Sequence, residues 1–379
     1  MISIALTIFF GLPAALAIFY TLSAAILIAR STRQPHRELA RPEPVTILKP
    51  LYGAEPHLTD NLESFVTQHW EAPIQLLCGV HSEADGAFTA VEELKSRHPD
   101  ADIACIVDGT PHGANGKVGN LINMMAAAKH DIVILSDSDM VAPSAYLEQV
   151  VGALGEPGVG AVTCLYRGRG DAGFWSQVGA AGLSWQFLPG VITSLALEAG
   201  GVCMGSTIAM RRATLDRIGG FERFADILAD DHAIGAAVRG LGLTIAVPPI
   251  VMPHASIDRD AGALLRHELR WAATVRQLDP AGYAGMIFTH PLPLALLTLP
   301  FSPIVGVGLL GAAAAMRLLL IREVDRLCGA STASPLLLPL RDILSFAVFI
   351  GGFFTGSVDW RGERLRMDGR GRISASGET

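Results

Sequence analysis

Ile132-Val133-Ile134-Leu135-Ser136-Asp137-Ser138-Asp139 is the stretch whose reading decides the fold. Its first four residues form an apolar run that reads as a buried strand. Two carboxylates come directly after it. Ligands in open α/β sheets bind at the carboxyl ends of strands. Asp137 and Asp139, two residues apart on such a loop, repel each other. A divalent cation removes that repulsion, and Mg²⁺ or Mn²⁺ favours carboxylate together with phosphate oxygens. An Asp-x-Asp pair also occurs on ordinary solvated loops. Its place behind a buried strand is what favours a metal site here.

The same pattern extends to both sides. Val45 to Leu48, Gln75 to Val80 and Ile103 to Val107 are further short apolar runs. Helix-like stretches lie between the runs, at Leu58 to Gln68, Ala87 to Arg97 and Val118 to Lys129. Short apolar strands alternating with amphipathic helices read as βαβ units around a parallel sheet. Gly158 to Cys164 and Leu243 to Pro248 predict later strands. The expected α/β domain covers residues 44–258.

Half of the 379 residues are hydrophobic and 17% are charged, against about 25% charged in an average soluble protein. The apolar excess sits at the two ends. Met1 to Ala29 holds no charged side chain, and about 20 apolar residues suffice to cross a hydrocarbon core. A cleaved signal peptide would carry its basic residues first; here Arg30, Arg33, Arg37 and Arg41 come afterwards. The positive-inside rule places the residues after Arg30 in the cytoplasm, so residues 1–30 are expected to be a retained transmembrane anchor. Residues 259–285 are expected to form an interfacial segment. Within it, Ala261 to Gln277 predicts a helix with Leu264, Leu265, Leu269 and Val275 on one side and Arg266, Arg270 and Arg276 on the other. That pattern suits a membrane surface or an ordinary amphipathic surface helix.

Residues 286–357 are expected to be membrane segments. Ile287 to Met316 is uncharged apart from His290 and is interrupted by Pro300 and Pro303, as one kinked span or a tight hairpin would be. In Pro335 to Ser357 the charges of Arg341 and Asp342 leave only Ile343 to Gly356 as the span proper. That is short enough for an interfacial or re-entrant segment. Arg361, Arg364, Arg366, Arg370 and Arg372 make residues 358–379 a basic, cytosolic tail by the same positive-inside rule. A net charge of −7 argues against nucleic acid as a partner. Five scattered cysteines with no C-x-x-C pair exclude a zinc ribbon and a disulfide framework and fit a reduced compartment.

Four further stretches can carry chemistry. Leu228-Ala229-Asp230-Asp231-His232 opens a helix-like run. Acidic residues there serve as helix caps and dipole partners, or as a general base that takes a proton from an attacking alcohol; Asp231 is preferred over Asp230 for that role. His267-Glu268-Leu269-Arg270-Trp271 offers the planar donor fork of Arg270 for a diphosphate. Trp271 offers a flat face for a sugar, or an interface anchor. Asn115-Gly116-Lys117 is a nucleotide-contacting turn or a plain helix start. His81-Ser82-Glu83-Ala84-Asp85 places an acid after a strand, where it can hydrogen-bond a base or ribose.

Taken together, these stretches resemble the membrane-bound GT-A glycosyltransferases of the ceramide glucosyltransferase type. The resemblance rests on Val45-Thr46-Ile47-Leu48-Lys49-Pro50-Leu51, Leu76-Leu77-Cys78, Asp85, Asp137-x-Asp139, Gly205-Ser206, Met210-Arg211-Arg212, Gly219-Gly220, Asp231 and Arg270-Trp271. Leu135 to Asp139, Thr163-Cys164-Leu165-Tyr166-Arg167-Gly168 and Trp360-Arg361-Gly362 are similar to one subgroup, the hopanoid-biosynthesis-associated glycosyltransferases of bacteria.

The resemblance implies a Rossmann-like GT-A domain on the cytoplasmic side of the bacterial inner membrane. The donor would be a UDP-sugar and the acceptor a membrane lipid, a hopanoid polyol or ceramide. It implies Asp85 and Lys117 at the nucleotide, Asp137 at the ribose or metal, and Asp139 on Mg²⁺ or Mn²⁺. Asp231 would be the base of an inverting transfer, with Arg270 and Trp271 at the donor. It favours N-acetylglucosamine transfer to bacteriohopanetetrol, with glucose transfer to ceramide or diacylglycerol as the rival. A non-enzymatic nucleotide-binding scaffold is the rival of a different class. One position departs from the family pattern. Where relatives usually carry Gln or Arg three residues before the Arg of Arg-Trp, this chain has His267, with Arg266 one residue earlier, and either could substitute.

Overall fold

The computed structural model describes residues 2–31, 41–197 and 202–355, and the backbone of 358–360, 363–367 and 373–375. Arg33, Arg37, Arg361, Arg370 and Arg372 of the expected basic flanks lie outside the described residues. The chain forms two compact units. One is an α/β unit, residues 35–166 and 198–257 with the extreme C-terminus. The other is helical, residues 1–34, 167–197 and 258–370. The α/β unit is therefore not one continuous run, because residues 167–197 group with the helices.

The α/β unit is built on β1 (Val45–Pro50), β2 (Ile74–Val80), β3 (Asp102–Val107), β4 (Ile132–Ser136) and β5 (Val159–Thr163). Beyond them come β6 (Leu165–Gly170), β7 (Thr207–Arg211), β8 (Thr244–Ala246) and β9 (Val251–Ser256). All but β6 and β9 form a seven-stranded sheet in the order β3-β2-β1-β4-β7-β5-β8. β1 pairs in parallel with β2 and β4, so Leu48 lies beside Leu77 on one side and Leu135 on the other. These inner strands are buried on both faces, which is why they read as unbroken apolar runs. The sheet is mixed rather than wholly parallel: β7 runs antiparallel to both β4 and β5.

Leu48, Leu77, Val133, Leu135, Ile208 and Met210 of the sheet pack with Val118, Leu121 and Met124 of the helix Gly116–Met125. Strand order turns back between β1 and β4, and such a switch point opens a crevice at the carboxyl ends of the strands. Lys49-Pro50 and Ser136 to Asp139 sit at that place.

Among the described residues, the helical unit contains three helices long and apolar enough to cross a membrane: Ile4–Ser31, Pro303–Cys328 and Pro335–Gly352. Two of them correct the sequence reading. The second runs to Cys328, past the expected end at Met316, and takes Arg317 with it. The third begins ahead of Arg341 and Asp342 instead of after them. The reason is pairing. Arg317 donates to both oxygens of Asp342 at 2.9 and 2.7 Å and to the Trp185 carbonyl at 2.8 Å, and both side chains are almost wholly buried. A charge with its partner inside the bundle does not end a helix as a lone charge in lipid would.

Candidate functional site

Lys49 stands at the back of the crevice. It is fully buried, and its Nζ donates to Ser136 Oγ at 3.1 Å and to the Asp137 carbonyl at 2.8 Å. The ammonium also lies 3.4 Å from the centre of the Phe65 ring. Burial lowers its pKa to about 7, while Asp137 and Asp139 pull in the other direction. Lys49 thus ties β1 to the loop that carries the two carboxylates.

Asp137 does not point freely into the crevice. Its Oδ1 is 2.6 Å from Nζ of Lys117. Asn115 starts the helix of Lys117, its Oδ1 accepting from the Lys117 and Val118 amides at 3.1 and 3.2 Å. The helix start is therefore real, and Lys117 still turns inward. Its Nζ donates to the Gly205 carbonyl at 3.3 Å. Its pKa is raised because the attraction of Asp137, Asp230 and Asp231 outweighs burial.

Asp139 lies 3.2 Å from His254 Nε2 through Oδ2, while its Oδ1 is buried without a hydrogen-bond partner. Burial raises the Asp139 pKa, and the nearby charge of Asp137 adds to that. His254, on β9, has an unpartnered Nδ1 and stacks on Tyr166 at 5.3 Å between ring centres. Glu55, on the loop after β1, has an unpartnered Oε2 and a pKa raised to about 7, chiefly by burial and next by Asp139.

Asp230 and Asp231 form the first turn of the helix Asp230–Gly240. Asp231 is half-buried; its Oδ2 accepts from the Gly205 amide at 2.9 Å and its Oδ1 from the His232 amide at 2.7 Å. A Cβ at position 205 would lie 3.1 Å from that Oδ2, so glycine lets the backbone approach. Burial raises the Asp231 pKa, and the two N–H bonds oppose the rise. Asp230 is the more buried of the two; it has an unpartnered Oδ2 and a pKa raised to about 6 by burial.

Asp85 caps the helix Gly86–Arg97. Its Oδ1 accepts from Ala87 N at 2.9 Å and from Gly53 N at 2.8 Å, so it also ties the β1 loop to this helix.

Four aspartates, Glu55 and two lysines thus converge at the switch point, and carboxylates outnumber cations. Among the described residues no three His, Cys, Asp or Glu side chains form a ready-made metal cage. The donor set still fits a cation held partly by substrate. Asp139 offers an unpartnered buried oxygen beside an imidazole, and Mg²⁺ usually takes one or two carboxylates and completes its shell with phosphate and water. His254 and Glu55 escaped the sequence reading, and Lys49 and Tyr166 entered it only as parts of motifs. None of the four sits in a spacing that signals a ligand.

Arg266, His267, Arg270 and Trp271 lie in the helical unit, on the helix Ala261–Leu278. His267 Nδ1 is 3.1 Å from Asp258 Oδ2, and its ring meets Trp271 edge-on at 4.6 Å. It is therefore already engaged, whereas Arg266 is exposed.

A sequence profile described as glycosyl transferase family 21 matches residues 9–373. The chain belongs to glycosyl transferase family 21. This family 21 chain is 29% identical over 220 residues to ceramide glucosyltransferase 1 of Caenorhabditis elegans, covering 56% of this chain and 46% of that one. It is 26% identical over 235 residues to ceramide glucosyltransferase 3 of the same organism, covering 60% and 49%. The chain thus spans about half the length of these curated relatives. The mannosyltransferase PcManGT from Pyrobaculum calidifontis, solved with GDP-Man and Mn²⁺, superposes with a TM-score of 0.52 at 21% identity, covering 90% of this chain and 98% of that one. The family 21 chain has the GT-A glycosyltransferase fold.

Proposed function

We propose that the protein is an inverting, metal-assisted glycosyltransferase that moves a sugar from a UDP-sugar to a hydroxyl of a membrane lipid. The observation that carries this reading is the meeting of Asp137, Asp139 and Asp231 at the β1/β4 switch point of a family 21 chain. Asp231 is the general base. It is accessible, and two amides hold its carboxylate in place. It takes the proton of the acceptor hydroxyl as that oxygen attacks the anomeric carbon and the bond to UDP breaks. Attack from the opposite face turns an α-linked donor into a β-linked product. Such base assistance contributes roughly 10²–10⁴-fold.

Asp139, with His254 beside it, holds Mg²⁺ or Mn²⁺. When bound, the cation stabilises charge on the departing diphosphate. Lys117 neutralises Asp137 and offsets the mutual repulsion of the carboxylates gathered around it. Asp85 is assigned to the uridine, and its N-cap contacts fix where it stands. Arg270 is assigned to the diphosphate and Trp271 to the sugar or acceptor, both on the motif alone. Three apolar helices support a membrane protein. The basic residues after the first of them support a cytoplasmic α/β unit, and the resemblance to the bacterial subgroup is what favours a bacterial inner membrane.

The subgroup motifs favour N-acetylglucosamine transfer from UDP-GlcNAc to bacteriohopanetetrol. The curated relatives are ceramide glucosyltransferases and favour the second reading, glucose transfer to ceramide. One assay separates them. Membranes containing the protein receive UDP-glucose or UDP-N-acetylglucosamine, each with ceramide or a hopanoid polyol, and the lipid product is read by mass. A hopanoid carrying N-acetylglucosamine is expected. Transfer only to ceramide would replace the acceptor, and no UDP release with any pair would remove the enzymatic reading.

A further inference from the structure

Glu268 sits inside the motif, between His267 and Arg270, yet it faces away from both. Its Oε1 and Oε2 accept from Arg341 Nη1 and Nη2 at 2.6 and 2.8 Å, a two-pronged pair. Arg341 is 3% exposed and Glu268 15%. Arg341 is held further by the Val178 carbonyl at 3.3 Å and by Ser345 Oγ, which accepts from Nε at 2.8 Å and from Nη2 at 2.5 Å.

The rest of the same helix face is also clamped. Leu265 and Leu269 pack with Val348 and Phe349. A Cβ at Gly351 would meet Leu269 Cδ2 at 2.8 Å, and one at Gly352 would meet Ala272 Cβ at 3.0 Å and collide with the Tyr283 hydroxyl. That hydroxyl donates to the Phe349 carbonyl at 2.7 Å, and Arg276 Nη2 donates to the Thr355 carbonyl at 2.9 Å. Residues 265, 268, 269, 272 and 276 recur at helical spacing on one side of the helix. His267, Arg270, Trp271 and Thr274 fall on the opposite side.

A buried ion pair is weak evidence for stability, because taking both charges out of water offsets most of the attraction. A two-pronged pair does fix the rotation and register of the two helices it joins. We propose that Glu268 and Arg341 are positioning residues. They lock the helix Ala261–Leu278 onto Leu338–Gly352, so that the motif face bearing Arg270 and Trp271 is held in one rotational setting. The functional half of this proposal rests on Arg270 being the diphosphate ligand.

The test uses the full chain in lipid nanodiscs. Glu268→Gln/Arg341→Gln removes both charges without leaving one buried and unpaired, and Arg341→Lys keeps the charge but loses the fork. Hydrogen exchange of amides 261–278 is measured alongside kcat and KM for the donor, normalised to folded protein. The double variant is expected to exchange faster in that helix. It is also expected to lose about tenfold or more in donor kcat/KM, chiefly through KM. Arg341→Lys should fall between it and the parent. Unchanged exchange overturns the proposal, as does unchanged donor kcat/KM in the double variant while Arg270→Ala weakens the donor. If Arg270→Ala itself leaves donor affinity unchanged, the motif reading fails, and the exchange measurement still decides the clamp.

Discussion

Replacing Lys117 with methionine removes the cation that three aspartates share. Its Nζ is 2.6 Å from Asp137 Oδ1, and both side chains are mostly shielded, at 19% and 30% exposure. Breaking a buried pair costs roughly 3–5 kcal/mol. At pH 7 the loss has a ceiling, because a stranded aspartate takes up a proton instead. Protonating a carboxyl of ordinary acidity at pH 7 costs about 4 kcal/mol. Partial exposure brings the expected loss to about 2–4 kcal/mol. In an α/β unit of this size that corresponds to a melting temperature lower by roughly 5–15 °C.

The sign with pH comes from the carboxylates. Lys117 opposes the raised pKa values of Asp230 and Asp231, so without it those values rise further, and the stability the two contribute is present at low pH and is lost as pH climbs through the raised values. Lys117→Met should therefore lie close to the parent at pH 5 and well below it at pH 8. Mg²⁺ or Mn²⁺ should recover part of the gap. The assay is thermal unfolding of detergent-solubilised protein, at one scan rate, at both pH values, with and without the cation. An equal deficit at pH 5 and pH 8, or no deficit at either, would refute this explanation of the cluster.

Asp230→Asn tests the neighbouring group. Its pKa of about 6 lies above the ordinary aspartate value, so it stabilises the fold at low pH and the benefit disappears as pH rises through 6. The variant should be more stable than the parent at pH 8, by up to about 3 kcal/mol, and not at pH 4; the reverse order would show Asp230 to be stabilising as a carboxylate. His254→Ala should weaken Mn²⁺ binding by about 10–100-fold, measured by titration in the presence of UDP, with little change in folding. Asp85→Ala should cost about 0.5–2 kcal/mol through the lost cap and should also weaken UDP; a stability loss with normal UDP affinity would leave Asp85 as a cap only.

Much of the α/β unit was legible because its inner strands are buried on both faces and its helices are amphipathic. Strand β4 and the Asp137-x-Asp139 loop stood out for that reason. β7 did not. It enters the sheet antiparallel between β4 and β5, an arrangement fixed by tertiary pairing rather than by any local period. The segment Phe174 to Ala196 contains no charge and a π-helical turn, Leu183–Phe187. Its anchors are remote in sequence: Arg317, 132 positions from Trp185, and Arg341, 163 positions from Val178.

The same distance hid His254, which reaches Asp139 only after the chain has crossed the sheet. Arg341 and Asp342 misled in the opposite sense. In one dimension they break an apolar run; in the fold each has a partner. Asp85 and Asn115 carry the local, structural meaning their positions allow, as helix caps.

The most direct measurement pairs turnover with donor binding in a single variant. Asp231→Asn removes the base and keeps the shape, with the side-chain oxygen still able to accept from Gly205. If Asp231 is the base, this variant shows no measurable sugar transfer to the lipid while UDP binds, in the presence of Mn²⁺, within a few-fold of the parent. Strong residual transfer by the variant would contradict the central claim and remove Asp231 from its role.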